Sequence, residues 1–113
     1  MALEELEFGQ LGDAVVAEVK GEVDISNANS VLERLLDAVP NTASALVLDL
    51  SEVGYLDSSG VRLIFELATR LRNRGQGLEL VVPDDSMIRR VLLLTEVQRV
   101  VPISTSIDTA LQG

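Results

Sequence analysis

Apolar residues change their spacing several times along the chain, and each change predicts an element. Ala14-Val15-Val16-Ala17-Glu18-Val19 is a β-branched run that reads as a strand. Leu3, Leu6 and Phe8 form a candidate earlier strand, joined to it through the turn residues Gly9 to Asp13. Gly21 breaks the run, and Glu22-Val23-Asp24 comes next as a short extended or turn segment. From Ser26 the period becomes helical. Ala28, Val31, Leu32, Leu35, Leu36 and Val39 make one continuous face, Ser26 or Asn27 is placed to cap its free N–H groups, and Pro40 ends it.

The second half alternates in the same way. Ala45-Leu46-Val47-Leu48-Asp49-Leu50 is a nearly unbroken apolar run, the pattern of a strand buried on both faces and therefore central and parallel. Ser51 to Asp57 reads as a connecting loop, and a second helix starts near Ser58. Its apolar stripe is Val61, Ile64, Phe65, Ala68 and Leu71, Arg62, Glu66 and Arg70 alternate in charge along another face, and Gly75 supplies the stop. Leu78 to Val82 is a further strand, stopped by Pro83. Asp84, Asp85 and Ser86 offer caps for a third helix from Met87 to about Thr95, with Met87, Ile88, Val91 and Leu92 inward. Val100-Val101-Pro102-Ile103 is a last strand, at an edge because proline lacks the N–H, and Ser104 to Ser106 cap a small helix around Ile107, Ala110 and Leu111. Strands alternating with helices in this order predict an α/β fold: a mostly parallel, mixed sheet with helices packed on it, in one domain spanning 1–113.

Composition narrows the function. With 47 % apolar and only 3 % aromatic residues, the core is built from branched aliphatics, and no aromatic platform exists for stacking bases. The formal charge is −9, which disfavours nucleic acid. The charge is uneven: residues 1–61 hold 12 acidic and 2 basic side chains, residues 62–113 hold 6 and 7. That pattern is a solvated acidic surface, or one that steers a basic partner. There is no Cys and no His, which excludes a disulfide framework, a thiol nucleophile and the usual zinc sites. Met1-Ala2-Leu3-Glu4-Glu5 is not a secretory signal, and no apolar run approaches a membrane span, so the chain is expected in the cytoplasm.

Most catalytic readings fail on the same grounds. A Ser-His-Asp hydrolase needs an imidazole to take the serine proton. Neither a Gly-x-Ser-x-Gly elbow nor a glycine-rich phosphate loop occurs. The adjacent acids Asp84 and Asp85 sit where helix caps sit. A phospho-aspartate receiver needs an acid at the end of a central strand and a late lysine. Here Asp57 lies seven residues beyond the strand ending at Leu50, and the only lysine is Lys20. No catalytic residue, metal ligand or cofactor is expected.

What remains is Asp57-Ser58-Ser59-Gly60-Val61. One reading is a helix cap, in which Asp and Ser satisfy unpaired N–H groups. Yet two hydroxyls and a glycine in one first turn exceed what a cap needs. Gly60 costs up to about 1 kcal/mol inside a helix, so something requires bare backbone there, close approach of a partner being one reason. The position also suits a phosphoserine, because a helix N-terminus tolerates the phosphate and leaves its charge to act on binding.

Over nearly its whole length the chain resembles a STAS domain, the family of the anti-sigma-factor antagonists. The segment from Leu46 to Val61 resembles the family's strand, loop and D-S-[ST]-G-[LV] phosphorylation motif, and Gly21-Glu22-Val23-Asp24 its G-E-[LIV]-D segment. Gly75, Gly77 and the apolar end near Ala110-Leu111 also fit; Glu96-Val97 stands where many relatives carry a glycine after the third helix. The resemblance implies a protein that binds an anti-sigma factor, itself a serine kinase, and so frees the sigma factor. Phosphorylation of Ser58 ejects it, and a metal-dependent serine phosphatase restores it. Asp24 and Asp57 match acids beside the phosphorylated serine, Asp24 being readable equally as a turn residue, while Ser59 and Gly60 support the helix start and the docking face. The same fold also serves as scaffold or sensor in stress-signalling complexes, in lipid-transport machinery without a phosphorylated serine, and next to anion transporters. A nucleotide-binding module is the reading from another class.

Overall fold

The computed structural model describes residues 4–112, so Leu3 of the first expected strand lies outside them. Two strands open the chain, β1 (Glu4–Leu11) and β2 (Ala14–Val23), paired antiparallel. After them come α1 (Ala28–Ala38), β3 (Ala45–Leu56), α2 (Ser58–Asn73), β4 (Gly77–Val81), α3 (Arg89–Leu94), a 3-10 turn at Val97–Arg99, β5 (Ile103–Ser104) and α4 (Ile107–Gln112). The sheet order is β1-β2-β3-β4-β5, parallel from β2 onward, giving the mixed, mostly parallel sheet that the alternation predicts.

The two faces of the sheet are covered unequally. Val15, Ala17 and Val19 of β2, Leu46, Leu48 and Leu50 of β3, and Leu78 and Leu80 of β4 point to one side. There they meet Val31 and Leu35 of α1, Ile64, Leu67 and Leu71 of α2, and Ile88 and Leu92. On the opposite side Val47 and Val81 are covered by Ala110 of α4, with Ile107 packed against them. Residues of alternate parity in β3 are therefore both buried, which is why its sequence is an unbroken apolar run.

Beyond β1, which runs on through Gly9 to Leu11 and leaves only Gly12 and Asp13 as the turn, three expectations need correction. Ser51 to Leu56 is strand, not loop: β3 continues beside the second half of β2, with Lys20 opposite Glu52, Gly21 opposite Val53 and Val23 opposite Leu56. Gly21 does not end β2 but lies at a register shift with φ 106°, a conformation glycine adopts without strain. These shifts space the buried residues Val53 and Leu56 three apart, so the period-2 signal of a strand is lost. Second, α3 begins at Arg89 and Met87 points outward, 81 % exposed. Ser86 Oγ accepts from the Ile88 N–H at 3.3 Å, whereas Asp84 forms an ion pair with Arg89. Third, the last strand is Ile103–Ser104, because Val97 to Val101 are taken up by the 3-10 turn and the turn after it. The side chain of Leu111 is outside what is described.

Candidate functional site

β2 and β3 end side by side, and this sets where the candidate residues lie. Val23 and Leu56 are paired, so the next residue of each strand, Asp24 and Asp57, leaves the sheet at the same edge. The Asp57 N–H donates to the Val23 carbonyl at 3.3 Å and ties the two exits together. The sequence separates these acids widely; the parallel register brings them together.

Each acid organises the turn it begins. Asp24 Oδ1 accepts from the Ser26 hydroxyl at 2.6 Å and from the Ser26 N–H at 2.8 Å. Those two bonds hold its carboxyl below the usual carboxylate range. Asn27 does not cap α1 as expected. Its Oδ1 accepts from the Asp24 N–H at 2.9 Å, and its Nδ2 donates to the Glu22 carbonyl at 2.9 Å and to Glu4 Oε2 at 3.3 Å. This buried amide thus ties the Asp24 turn to the end of β2 and to β1. Its role is hidden in the sequence because the partners lie before the helix rather than in it.

Asp57 is the cap of α2. Its backbone is extended, and Oδ1 accepts from the N–H groups of Ser59 at 2.8 Å and Gly60 at 3.2 Å. Ser58 is therefore free of that task. It is the first residue of the helix, is exposed, and its hydroxyl makes no hydrogen bond among the described residues. Ser59 is half-buried and lines a groove of about 490 Å³ between α1 and α2 with Ile25, Leu32, Arg62 and Leu63.

Gly60 is buried, and its bareness has an internal cause. A Cβ there would stand 2.4 Å from Leu56 Cδ1, 2.8 Å from Leu56 Cγ and 3.3 Å from the Val23 carbonyl oxygen. The close approach is that of the helix start to its own sheet, not that of a partner, so Gly60 sets how closely α2 sits on β2 and β3.

Three apolar side chains in the turns and at the strand ends of this half of the molecule are exposed. Ile25 is 84 % exposed and Tyr55 50 %. Met87, also exposed, lines a shallow cleft with Ser51, Val53 and Gly54. Sequence patterning misses Ile25 and Tyr55 because isolated apolar residues in turns and at strand ends carry no period. Among the described residues no three carboxylates gather to hold a metal ion, and no helix is long and apolar enough to cross a membrane. The arrangement presents the uncommitted Ser58 hydroxyl at the exposed start of α2, directly after the capping carboxylate of Asp57.

Known proteins resemble this chain in sequence or in fold. The anti-sigma-F factor antagonist RsfB of Mycobacterium tuberculosis is 28 % identical over 99 residues, 87 % of this chain and 79 % of that protein. The crystal structure of an anti-sigma factor antagonist from Mycobacterium paratuberculosis superposes with a TM-score of 0.85 at 24 % identity, over 97 % of this chain and 92 % of that one. The Bacillus cell fate determinant SpoIIAA in its phosphorylated form has the same fold, with a TM-score of 0.68 at 16 % identity over 96 % and 97 % of the two chains. A family model described as the STAS domain matches residues 5–110, and the chain belongs to that family.

Proposed function

We propose that this chain, one STAS domain over its whole length, is an anti-sigma-factor antagonist that is switched off by phosphorylation of Ser58. The observation that carries the reading is the division of labour between Asp57 and Ser58. Asp57 already caps the helix, so Ser58 is left exposed with a hydroxyl that the fold does not use. A serine needed only as a cap would be bonded to the backbone N–H groups that Asp57 occupies. The likeness to RsfB supports an anti-sigma factor as the partner.

The chain acts as a binding regulator and a phosphoryl acceptor, not as a catalyst. Unmodified, it docks through the Ser58 turn and the exposed Ile25, Tyr55 and Met87 on an anti-sigma factor in the cytoplasm, which releases its sigma factor. The partner is also the kinase: Ser58 Oγ attacks the γ-phosphorus of the partner's ATP, ADP leaves, and the hydroxyl proton passes to the kinase. The phosphate adds about −1.5 to −2 charges beside Asp57. Burying that charge in the interface costs several kcal/mol, and about 4 kcal/mol weakens binding about a thousandfold. A metal-dependent serine phosphatase removes it.

The test is incubation with ATP and each anti-sigma kinase encoded in the same genome, then peptide mass spectrometry and calorimetric binding. A single phosphate is expected on Ser58. Ser58→Ala should bind like the unmodified chain, and Ser58→Glu more weakly, though less so than phosphate because it carries less charge. No phosphate with any kinase, or Ser58→Glu binding as tightly as the parent, would overturn the switch and favour a constitutive scaffold.

A further inference from the structure

On α2 the residues Ser58, Arg62, Glu66 and Arg70 succeed one another at steps of four, and so form one row along the helix surface. Glu66 and Arg70 are ion-paired at 3.8 Å. Arg62 is not: among the described residues it makes no ion pair and no hydrogen bond, although it shares a groove with Glu33 of α1 and with Glu66. The row alternates in sign from Arg62 onward, and only its first position, Ser58, is neutral.

Helical side chains lean toward the helix N-terminus, so Arg62 covers the turn that Ser58 begins. Both residues are exposed, and the Ser58 hydroxyl is uncommitted. A phosphate on Ser58 would stand among the acids Asp57 and Asp24, and no other cation of the row is uncommitted. A guanidinium four residues on offers it two parallel N–H donors and the right charge.

We propose that Arg62 is the built-in counter-ion of a phosphate on Ser58, captured by it when the residue is modified and free for a partner's acidic group when it is not. The inference rests on the reading of Ser58 as the phosphorylated residue. It deepens that reading, because modification then changes the docking face twice. It adds an anion at Ser58 and withdraws the cation at Arg62.

The experiment installs phosphoserine at position 58 of the full chain during translation, so that no kinase is needed, and tracks the phosphate by ³¹P NMR as pH is varied. The charges around it are Asp24, Asp57, Glu33, Glu66, Arg62 and Arg70, and only the two arginines are changed. Arg62→Gln should raise the midpoint of the second phosphate ionisation by about 0.3 pH unit, the size of an exposed ion pair at this spacing. Arg70→Gln, which removes the same charge further along the row, should move it by less than about 0.1 unit. A midpoint that Arg62→Gln leaves in place, or that both variants move equally, overturns the proposal. Arg62 is exposed, so its replacement does not threaten the fold. Failure of every kinase to modify Ser58 would count against the proposed function alone, because the ion pair is measured without one.

Discussion

Gly60 is where the start of α2 is held hardest against the sheet. Its hypothetical Cβ would meet Leu56 Cδ1 and Cγ at 2.4 and 2.8 Å, and Leu56 is itself only 5 % exposed. Overpacking of this kind costs about 1–3 kcal/mol, and alanine's better helix propensity returns up to about 1 kcal/mol of it. Gly60→Ala should therefore lower stability by about 1–2 kcal/mol in urea unfolding with an unchanged slope. In a Leu56→Ala background the penalty should vanish. A penalty that is equal in both backgrounds would show that Leu56 is not what excludes the side chain. The sequence exposes the need for a glycine in a helical first turn but not the atom responsible. The residue that forbids a Cβ lies only four positions back, and it reads as loop until β3 is seen to extend through it. Asp57 is legible as a cap because capping is local chemistry. Asn27 is not, since its partners Glu22 and Glu4 are fixed by the strand pairing.

At the scale of elements, the long amphipathic helices and the buried strand run are readable because each repeats its signal over several turns or residues. The short elements are not. α3 has six residues, too few for its period to separate Ile88 and Leu92, which are buried, from Met87 and Leu94, which are not. The turn at the end of α3 is informative in another way. Glu96 adopts the left-handed conformation, φ 62°, and among the described non-glycine residues it alone has a positive φ. The resemblance to the family sets a glycine at Glu96-Val97, and the left-handed backbone of Glu96 is one that glycine adopts without strain. Left-handed geometry costs an L residue about 1–2 kcal/mol, whereas glycine's extra freedom in the unfolded chain costs about 0.5–1 kcal/mol. Glu96 also pairs with Arg99 at 3.5 Å, but both side chains are well exposed, so losing that pair matters little. Glu96→Gly should thus stabilise the protein by about 0.5–1 kcal/mol and raise the melting temperature. Glu96→Ala, which keeps the Cβ, should not. Equal melting temperatures for the two variants would remove backbone strain as the cause.

At the scale of the whole molecule, the uneven charge of the sequence becomes an uneven distribution across the sheet. Glu4, Glu5 and Glu7 lie on β1, the outermost strand, with Glu18 and Glu22 on its neighbour β2, whereas Arg62, Arg70 and Arg72 lie on α2. Composition reveals the excess of acid in the first half but not its placement at an edge, which depends on sheet order. β1 is eight residues long and leaves one side of its backbone unpaired, a template for edge-to-edge association that proteins commonly block with charge. A second copy pairing antiparallel about Leu6 would set Glu5 against Glu7 of that copy, on the same face. Lys20 relieves little of this. It lies 3.6 Å from Glu7 and 3.5 Å from Glu18, and these two, Glu7 foremost, already hold its pKa above the ordinary lysine value. The acidic edge is therefore expected to oppose edge-to-edge pairing of two copies. Sedimentation velocity at pH 7 should show a monomer that begins to self-associate when Glu5 and Glu7 are both replaced by Gln. The unaltered chain should do the same as pH falls toward its isoelectric point near 4.3, where the repulsion is lost. A double variant that stays monomeric at the concentrations where the parent does, with no association near that pH, would mean that the geometry of the edge, not its charge, keeps the copies apart.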